Sequence, residues 1–413
     1  MSNVNNYDII TLGTSGAGKT VFLSSLFKSL SIQGEHRFFL EVSDSKMERL
    51  LNKFYSEILS GGWPAGTRGD IQKWVFTCCV KNQNLEQYPA CQFTYIDYAG
   101  GLLTDVDSED EGYDFNFDQE IEKADAVLAL LDGLKLLKFM EGKESDNRDV
   151  DNWMQRDIPS LMRRVQKCKK IPVHFVISKW DLLANKYTLL EVRNRLLEKV
   201  NEFKNVVKNR ADANCPVRLI PISSIGVNFM TPQADGSIKK VSGAVLNPFQ
   251  VEVPLAFVLT DSLQAKISQL KMEQEEISRR PTEIKPKYGF LNRLDQLLSN
   301  TVLPSYNALI NQFLITNLPE KYKNNSALKE LIKLTEQSVK MVDKKIERTQ
   351  EEVARKQEQA AQETARLRRL QEESLKVVND EETALSHVVN SFTHIQKKLA
   401  ENFPESDLGG LGI

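Results

Sequence analysis

The run Gly13-Thr14-Ser15-Gly16-Ala17-Gly18-Lys19-Thr20 has the spacing G-x-x-x-x-G-K-S/T, and it sits between an apolar stretch ending at Leu12 and an amphipathic stretch from Val21 to Leu30. These residue types suit polyphosphate chemistry. The glycines let successive backbone N–H groups turn inward around phosphate oxygens, and a helix opening at Lys19 adds the positive end of its dipole. Lys19 would reach the outer phosphates, Thr20 would offer its hydroxyl to magnesium, and Val21 would carry the binding segment into the helix.

Asp97 closes the apolar run Phe93 to Ile96 and is followed by Tyr98-Ala99-Gly100, giving D-x-x-G. A carboxylate at a strand end beside the phosphate loop suits holding a water on magnesium, and the Gly100 amide suits sensing the terminal phosphate. Further along, Val173 to Ile177 leads into Ser178-Lys179-Trp180-Asp181, and Arg218 to Ile222 leads into Ser223-Ser224-Ile225-Gly226.

With these four motifs in this order, residues Tyr7 to Phe249 resemble the small-GTPase-like branch of P-loop proteins, the TRAFAC class. Its guanine motif is usually N-K-x-D or T-K-x-D, and its next motif is S-A-K or S-A-L. Ser178 and Ser224 depart from those patterns. Within the class the chain looks most like bacterial double-GTPase-like proteins, partly through Trp63-Pro64-Ala65-Gly66-Thr67 and Asn247-Pro248-Phe249. The resemblance implies GTP or GDP with Mg2+, Asp181 as the guanine reader, Lys179 as the stem stacked on the base, and Ser178, Ser223, Ser224 and Ile225 around it. A carboxylate facing two purine donors makes a charge-assisted pair that adenine would leave unmatched.

Thr67, ahead of the next strand candidate, is the best placed switch threonine for magnesium and the terminal phosphate, and Arg68 beside it is a candidate charge donor. Family members often place a glutamine soon after the D-x-x-G glycine, whereas this chain continues Gly101-Leu102. Hydrolysis is therefore expected to be slow without a partner, on the order of 10⁻⁴ s⁻¹. Asp105 to Asp118 is acidic and reads as a solvated loop.

The elements that must position these groups follow from hydrophobic period. Strands are expected at Asp8–Leu12, Lys73–Val80, Gln92–Ile96, Ala126–Leu131, Val173–Ile177 and Arg218–Ile222, and helices at Lys19–Leu30, Met47–Leu59, Asn152–Lys167 and Leu189–Ala211. The polar link between the second and third strands reads as an antiparallel hairpin, while the others read as parallel. The expected fold is α/β: a P-loop NTPase of Ras-like G-domain type, mostly parallel with one antiparallel strand, followed by an all-α, partly coiled-coil region. Residues 1–250 form the nucleotide domain, with a helical insertion at about 31–66. A helical connector spans 251–325, interrupted by prolines between Arg279 and Lys287.

From Ser326 to Leu399 the chain has neither proline nor glycine, so 326–403 reads as a long helical arm. Its heptad runs through Val339, Val342, Ile346, Val353, Ala360, Leu367, Leu370 and Val377, then restarts four residues out of step at Leu385, Val388, Phe392, Ile395 and Leu399. Polar residues on the seam favour an antiparallel hairpin or a partner-dependent arm over a tight parallel dimer. Residues 404–413 read as a disordered tail.

Composition sets the remaining bounds. The chain has 413 residues, 27% charged, with a formal net charge of −2, which offers no argument for nucleic acid as partner. The five cysteines lack metal-ligand spacing and read as buried free thiols, and the histidines add no ligand spacing, so no metal beyond magnesium is expected. The N-terminus has no signal-peptide character, and no apolar run approaches the roughly 20 residues of a membrane span, so a cytoplasmic location is expected. Peripheral membrane contact stays open.

The leading expectation is a slow guanine-nucleotide switch read by a partner or by self-association through 326–403. The alternatives are a dynamin-like mechanochemical GTPase and a scaffold that holds nucleotide without turning it over.

Overall fold

The computed structural model describes residues 4–65, 71–97, 119–142, 148–168, 170–232, 238–262 and 371–409, with scattered helical positions between 362 and 369. Seven strands form one sheet: β1 (Asn6–Leu12), β2 (Phe39–Glu41), β3 (Gln72–Lys81), β4 (Gln87–Asp97), β5 (Ala126–Asp132), β6 (Val173–Ser178) and β7 (Val217–Pro221). They lie in the order β2-β3-β4-β1-β5-β6-β7. Pairing is parallel from β4 across β1, β5 and β6 to β7, and β3 alone runs against its neighbours. The expected single antiparallel strand is therefore present.

Local sequence explains the difference between strands. β5 and β6 are buried along their whole length, so Ala-Val-Leu-Ala-Leu-Leu-Asp and Val-His-Phe-Val-Ile-Ser read as continuous buried runs. β3 instead alternates over its first residues, with Trp74, Phe76 and Cys78 buried and their neighbours partly exposed. β2 has only three residues, too few to show a period, and the sequence reading missed it.

Helices cover both faces. On one side lie α1 (Lys19–Leu30), helical residues 253–262 and, toward the C-terminus, a helix spanning Glu381–Asn402. On the other lie α3 (Gly133–Met140), α4 (Ile158–Lys167), α5 (Leu189–Lys199) and α6 (Asn201–Asp212). α2 (Ser45–Leu59) follows β2 and packs on α1, its start capped by Asp44, whose carboxylate accepts from Lys46 N at 2.7 Å. The helix expected over 189–211 is two helices. Val200, buried and extended at φ −115°, joins them and lets Leu196 and Phe203 both reach the same core. The start expected at Asn152 instead passes through a π-helical turn, Trp153–Asp157, that buries Trp153 and Asp157.

The C-terminal helix, α7 (Glu381–Asn402), folds back on the sheet. Val388, Phe392, Ile395 and Leu399, read in sequence as a restarted coiled-coil seam, are buried in the same core as β1, β3 and β4. Phe392 meets Phe38 edge-on with ring centroids 5.2 Å apart and approaches Phe93 at 6.3 Å. Ser374 Oγ pairs with His387 Nδ1 at 2.7 Å, and His387 Nε2 lies 3.0 Å from Arg37 O, which ties this region to the turn before β2.

The tail expected to be disordered over 404–413 is ordered through Gly409, so that reading is corrected. Pro404–Ser406 form a 3-10 turn, Leu408 is fully buried, and Leu408 N donates to Val217 O at 3.1 Å on the edge of the sheet. Buried Leu408, followed in sequence by two glycines, supplies the anchor. The arm positions from Val339 to Ala360, the tail beyond Gly409 and the acidic stretch 105–118 lie outside the described residues.

Two more strands, β8 (Met230–Pro232) and β9 (Ile238–Lys240), form a separate antiparallel hairpin after β7. All five cysteines are free and buried. No helix among the described residues is long and apolar enough to cross a membrane.

Candidate functional site: a cavity at the strand ends

The C-terminal ends of β1, β4, β5, β6 and β7 all open on one edge of the sheet, and chain order reverses on either side of β1. Such a switch point is where an open parallel sheet forms a crevice for ligands. A cavity of about 420 Å³ lies there, within the range of small-ligand sites.

One wall is the loop between β1 and α1. Gly16 and Gly18 adopt positive φ of 79° and 89°, and Gly18 caps α1 with left-handed backbone. Ser15, Gly16, Ala17, Gly18, Lys19, Thr20 and Val21 all line the cavity. Gly13 and Thr14 lie at the base of the loop: a Cβ on Gly13 would sit 3.1 Å from Leu130 Cβ, and Thr14 O accepts from Ala17 N at 3.1 Å. Lys19 is nearly buried and donates to Gly13 O at 2.8 Å. Burial pulls its ammonium below the ordinary lysine range, and the Asp97 carboxylate works against that shift. Asp97 is itself buried at the end of β4, paired in register with Thr11 of β1.

The facing wall comes from the loops after β6 and β7, where Ser178, Lys179, Asp181, Ser224 and Ile225 line the cavity. Lys179 sits at φ 54°, and its ammonium reaches Gly16 O and both Asp132 oxygens at 2.9 Å each. Asp132 Oδ1 also accepts from Leu134 N at 2.9 Å, capping α3. Ser178 turns inward and donates to Leu131 O at 3.1 Å, so it supports the loop from beneath. Burial raises the Asp181 carboxyl above its ordinary value, while the Ser223 hydroxyl, which donates to Asp181 Oδ1, and nearby Lys179 pull the other way. Ser223 also accepts from Gly226 N at 2.8 Å and pairs with Phe249 through two backbone bonds. Ser25 of α1 donates to Ser224 O at 2.8 Å, fixing this loop against the phosphate-loop helix.

The structure thus brings together, around one volume, the sequence-predicted residues Ser15 to Val21, Ser178, Lys179, Asp181, Ser224 and Ile225, with Ser223 behind Asp181 and Asp97 beside Lys19. Thr67, Arg68 and Gly100 lie outside the described residues. Sequence reading missed Asp132 as the partner of Lys179, and it missed Trp63, Pro64, Leu182 and Met230 in the lining. Asp132 carries a detectable signal, an acid at a strand end, as Asp97 is, here closing a strand apolar along its whole length. Met230 carries none.

A mainly parallel sheet whose first strand runs through G-x-x-x-x-G-K-T into a helix defines a P-loop nucleotide-binding fold, here followed by a helical C-terminal region. No protein-family model and no curated protein sequence matches the chain. Similar solved structures include sup35 complexed with GDP, at 10% identity over 54% of this chain and 38% of that one, with a TM-score of 0.29. The SRb-GTP/SRX signal recognition particle receptor complex from Chaetomium thermophilum matches at 16% identity over 55% and 93%, with a TM-score of 0.31. The G domain of the T. maritima FeoB iron transporter matches at 16% over 53% and 89%, with a TM-score of 0.26. Similarity at this level carries no functional information.

Proposed function

We propose that this chain binds GTP and GDP with magnesium and hydrolyses GTP slowly, acting as a nucleotide-controlled switch. The observation that carries this reading is that the Lys19 loop and the Asp181 loop open into the same cavity, with Lys179 spanning between them. In this reading the inward amides from Ser15 to Gly18 and the Lys19 ammonium hold the β- and γ-phosphates. Asp181 accepts from the two donors on the guanine edge, Lys179 lies along the purine, and Ser224 and Ile225 close the adjacent side. Adenine offers Asp181 no such donor pair and leaves a desolvated carboxylate unmatched, which is the origin of base choice.

The donor set at Thr20 and Asp97 fits magnesium in the manner of nucleotide sites, where one or two protein oxygens and the phosphates share the ion. Bound there, magnesium would neutralise charge developing on the transferred phosphoryl group. Thr67 and Gly100 are the proposed switch contacts to the terminal phosphate, with Arg68 as a charge donor. The helical region after Pro248 is the proposed route by which nucleotide state reaches a partner or a second copy.

Calorimetric titration of GTP, GDP and ATP with magnesium, combined with phosphate release over hours, tests the proposal. Guanine nucleotides should bind at least tenfold tighter than ATP, with GTP turned over slowly. Tighter ATP, or GTP bound and never cleaved, contradicts it.

A further inference from the structure

The phosphate loop and the Asp181 loop account for only part of the cavity. The remaining wall is apolar and comes from outside the sheet: Trp63 and Pro64 follow α2, and Met230 begins the β8–β9 hairpin. These two segments are joined. Lys240 of β9 donates its ammonium to Leu59 O at the end of α2 at 2.6 Å. Gly61, at φ 87°, brings the backbone so close beneath the same residue that an added Cβ would lie 3.2 Å from Lys240 Cβ. Behind the junction, Ile58 of α2 packs with Phe229, Met230 and Leu246, and with Ile225 of the base-side loop. Lys240 also lies over the Phe229 ring, 5.4 Å from its centroid.

Trp63 stands out against this built background. It is 44% exposed, whereas the chain's other three tryptophans, Trp74, Trp153 and Trp180, are 4% exposed or less. A large indole left half in water, at the lip of a cavity whose opposite wall is polar, has a flat apolar face available to a flat ligand.

Building on the guanine-nucleotide reading, we infer that residues 59–64, with Met230 of β8 and Lys240 of β9, form one jaw over the purine, with Trp63 supplying the stacking face and Lys240 acting as the positioning residue that holds the two halves together. Stacking on an aromatic face is indifferent to which purine is bound, because every base has a π surface. The jaw therefore contributes affinity and slow release, and discrimination stays with Asp181. This division of labour separates the two sets of residues experimentally.

Titrations of the full chain with GDP, IDP and inorganic pyrophosphate, on the parent and on Trp63→Ala, Trp63→Phe and Lys240→Met, test the inference. Trp63→Ala should weaken GDP and IDP by the same factor, roughly 10- to 100-fold, and leave pyrophosphate unchanged. Trp63→Phe should recover most of the loss. Lys240→Met, which keeps the aliphatic stem over Gly61, should speed GDP release several-fold. In the parent, nucleotide and not pyrophosphate should change tryptophan emission, and Trp63→Phe should abolish that change. Trp63→Ala holding GDP as tightly as the parent overturns the jaw alone. A fall in pyrophosphate binding by the same factor, unrescued by Trp63→Phe, shows a merely structural role and also overturns it. A parent that binds pyrophosphate and gains nothing from an attached purine overturns the jaw together with the reading beneath it.

Discussion

Lys179 donates its ammonium to Gly16 O at 2.9 Å, joining a loop at the end of β6 to the phosphate loop 163 positions earlier in the chain. The same ammonium is held by Asp132 at the end of β5. Three strand ends are thereby linked through one side chain, which ties the loop after β1 to the loop after β6. Ties of this kind lower the ordering cost of binding.

Asp132→Asn keeps an acceptor for Leu134 N and removes the charge that holds Lys179. GDP affinity should fall by about 1–2 kcal/mol, the scale of a charge-assisted hydrogen bond, with little change in melting temperature. Calorimetry and thermal melting of the same preparation check both halves.

Gly133 begins α3 where a Cβ would lie 2.1 Å from Ser178 O and 2.8 Å from Lys179 O. Both are backbone atoms, so Gly133→Ala must push the base-side loop away. The expected cost is about 1–3 kcal/mol of stability, with base-dependent affinity lost and pyrophosphate binding retained. Chemical denaturation and paired titrations separate the two effects.

Phe392 is fully buried between Phe38 and Phe93, which makes the C-terminal helix part of the core on one face of the sheet. Phe392→Ala should cost about 3–5 kcal/mol. A truncation before residue 371 should be more damaging still, since it also removes Val388, Ile395, Leu399 and the Leu408 anchor. An independent, separable arm would instead leave urea unfolding of the domain unchanged.

Asp261 is buried between Arg218 and His174, with Arg218 Nε at 2.6 Å and His174 Nε2 at 3.0 Å. Burial alone would raise its carboxyl, but Arg218 and the His174 hydrogen bond outweigh burial and hold it below the ordinary value. A carboxyl lowered in the fold contributes stability that is complete above its unfolded value, near pH 4, and is lost as pH falls through its folded value. Asp261→Asn should therefore destabilise the protein by about 3–5 kcal/mol at neutral pH and flatten the acid limb of the stability profile. Melting curves between pH 3 and 7 give both readings.

Much of the sheet was legible because its central strands are apolar and closed by chemistry-bearing residues. Leu12 into Gly13, Ile96 into Asp97 and Ile177 into Ser178 each mark a strand end and a candidate site residue together. What escaped lacked a period or depended on tertiary pairing. β2 is three residues long, the β8–β9 hairpin has no hydrophobic alternation to announce it, and the break at Val200 is set by burial on either side of one extended residue. The seam at Val388, Phe392, Ile395 and Leu399 was visible as an apolar stripe. A stripe states that a face is buried and leaves its partner open, and here the partner is the chain's own sheet.

The most direct measurement is the affinity of GTP and XTP for the parent chain and for Asp181→Asn. If Asp181 reads the purine edge, the substitution should weaken GTP by about 2 kcal/mol or more and strengthen XTP, whose 2-oxo group suits the asparagine amide. Its raised carboxyl should also make parent GTP binding fade, as pH falls, sooner than an ordinary carboxylate would. Unchanged GTP binding in Asp181→Asn, or equal loss of GTP and XTP, would contradict the assignment of this cavity to guanine.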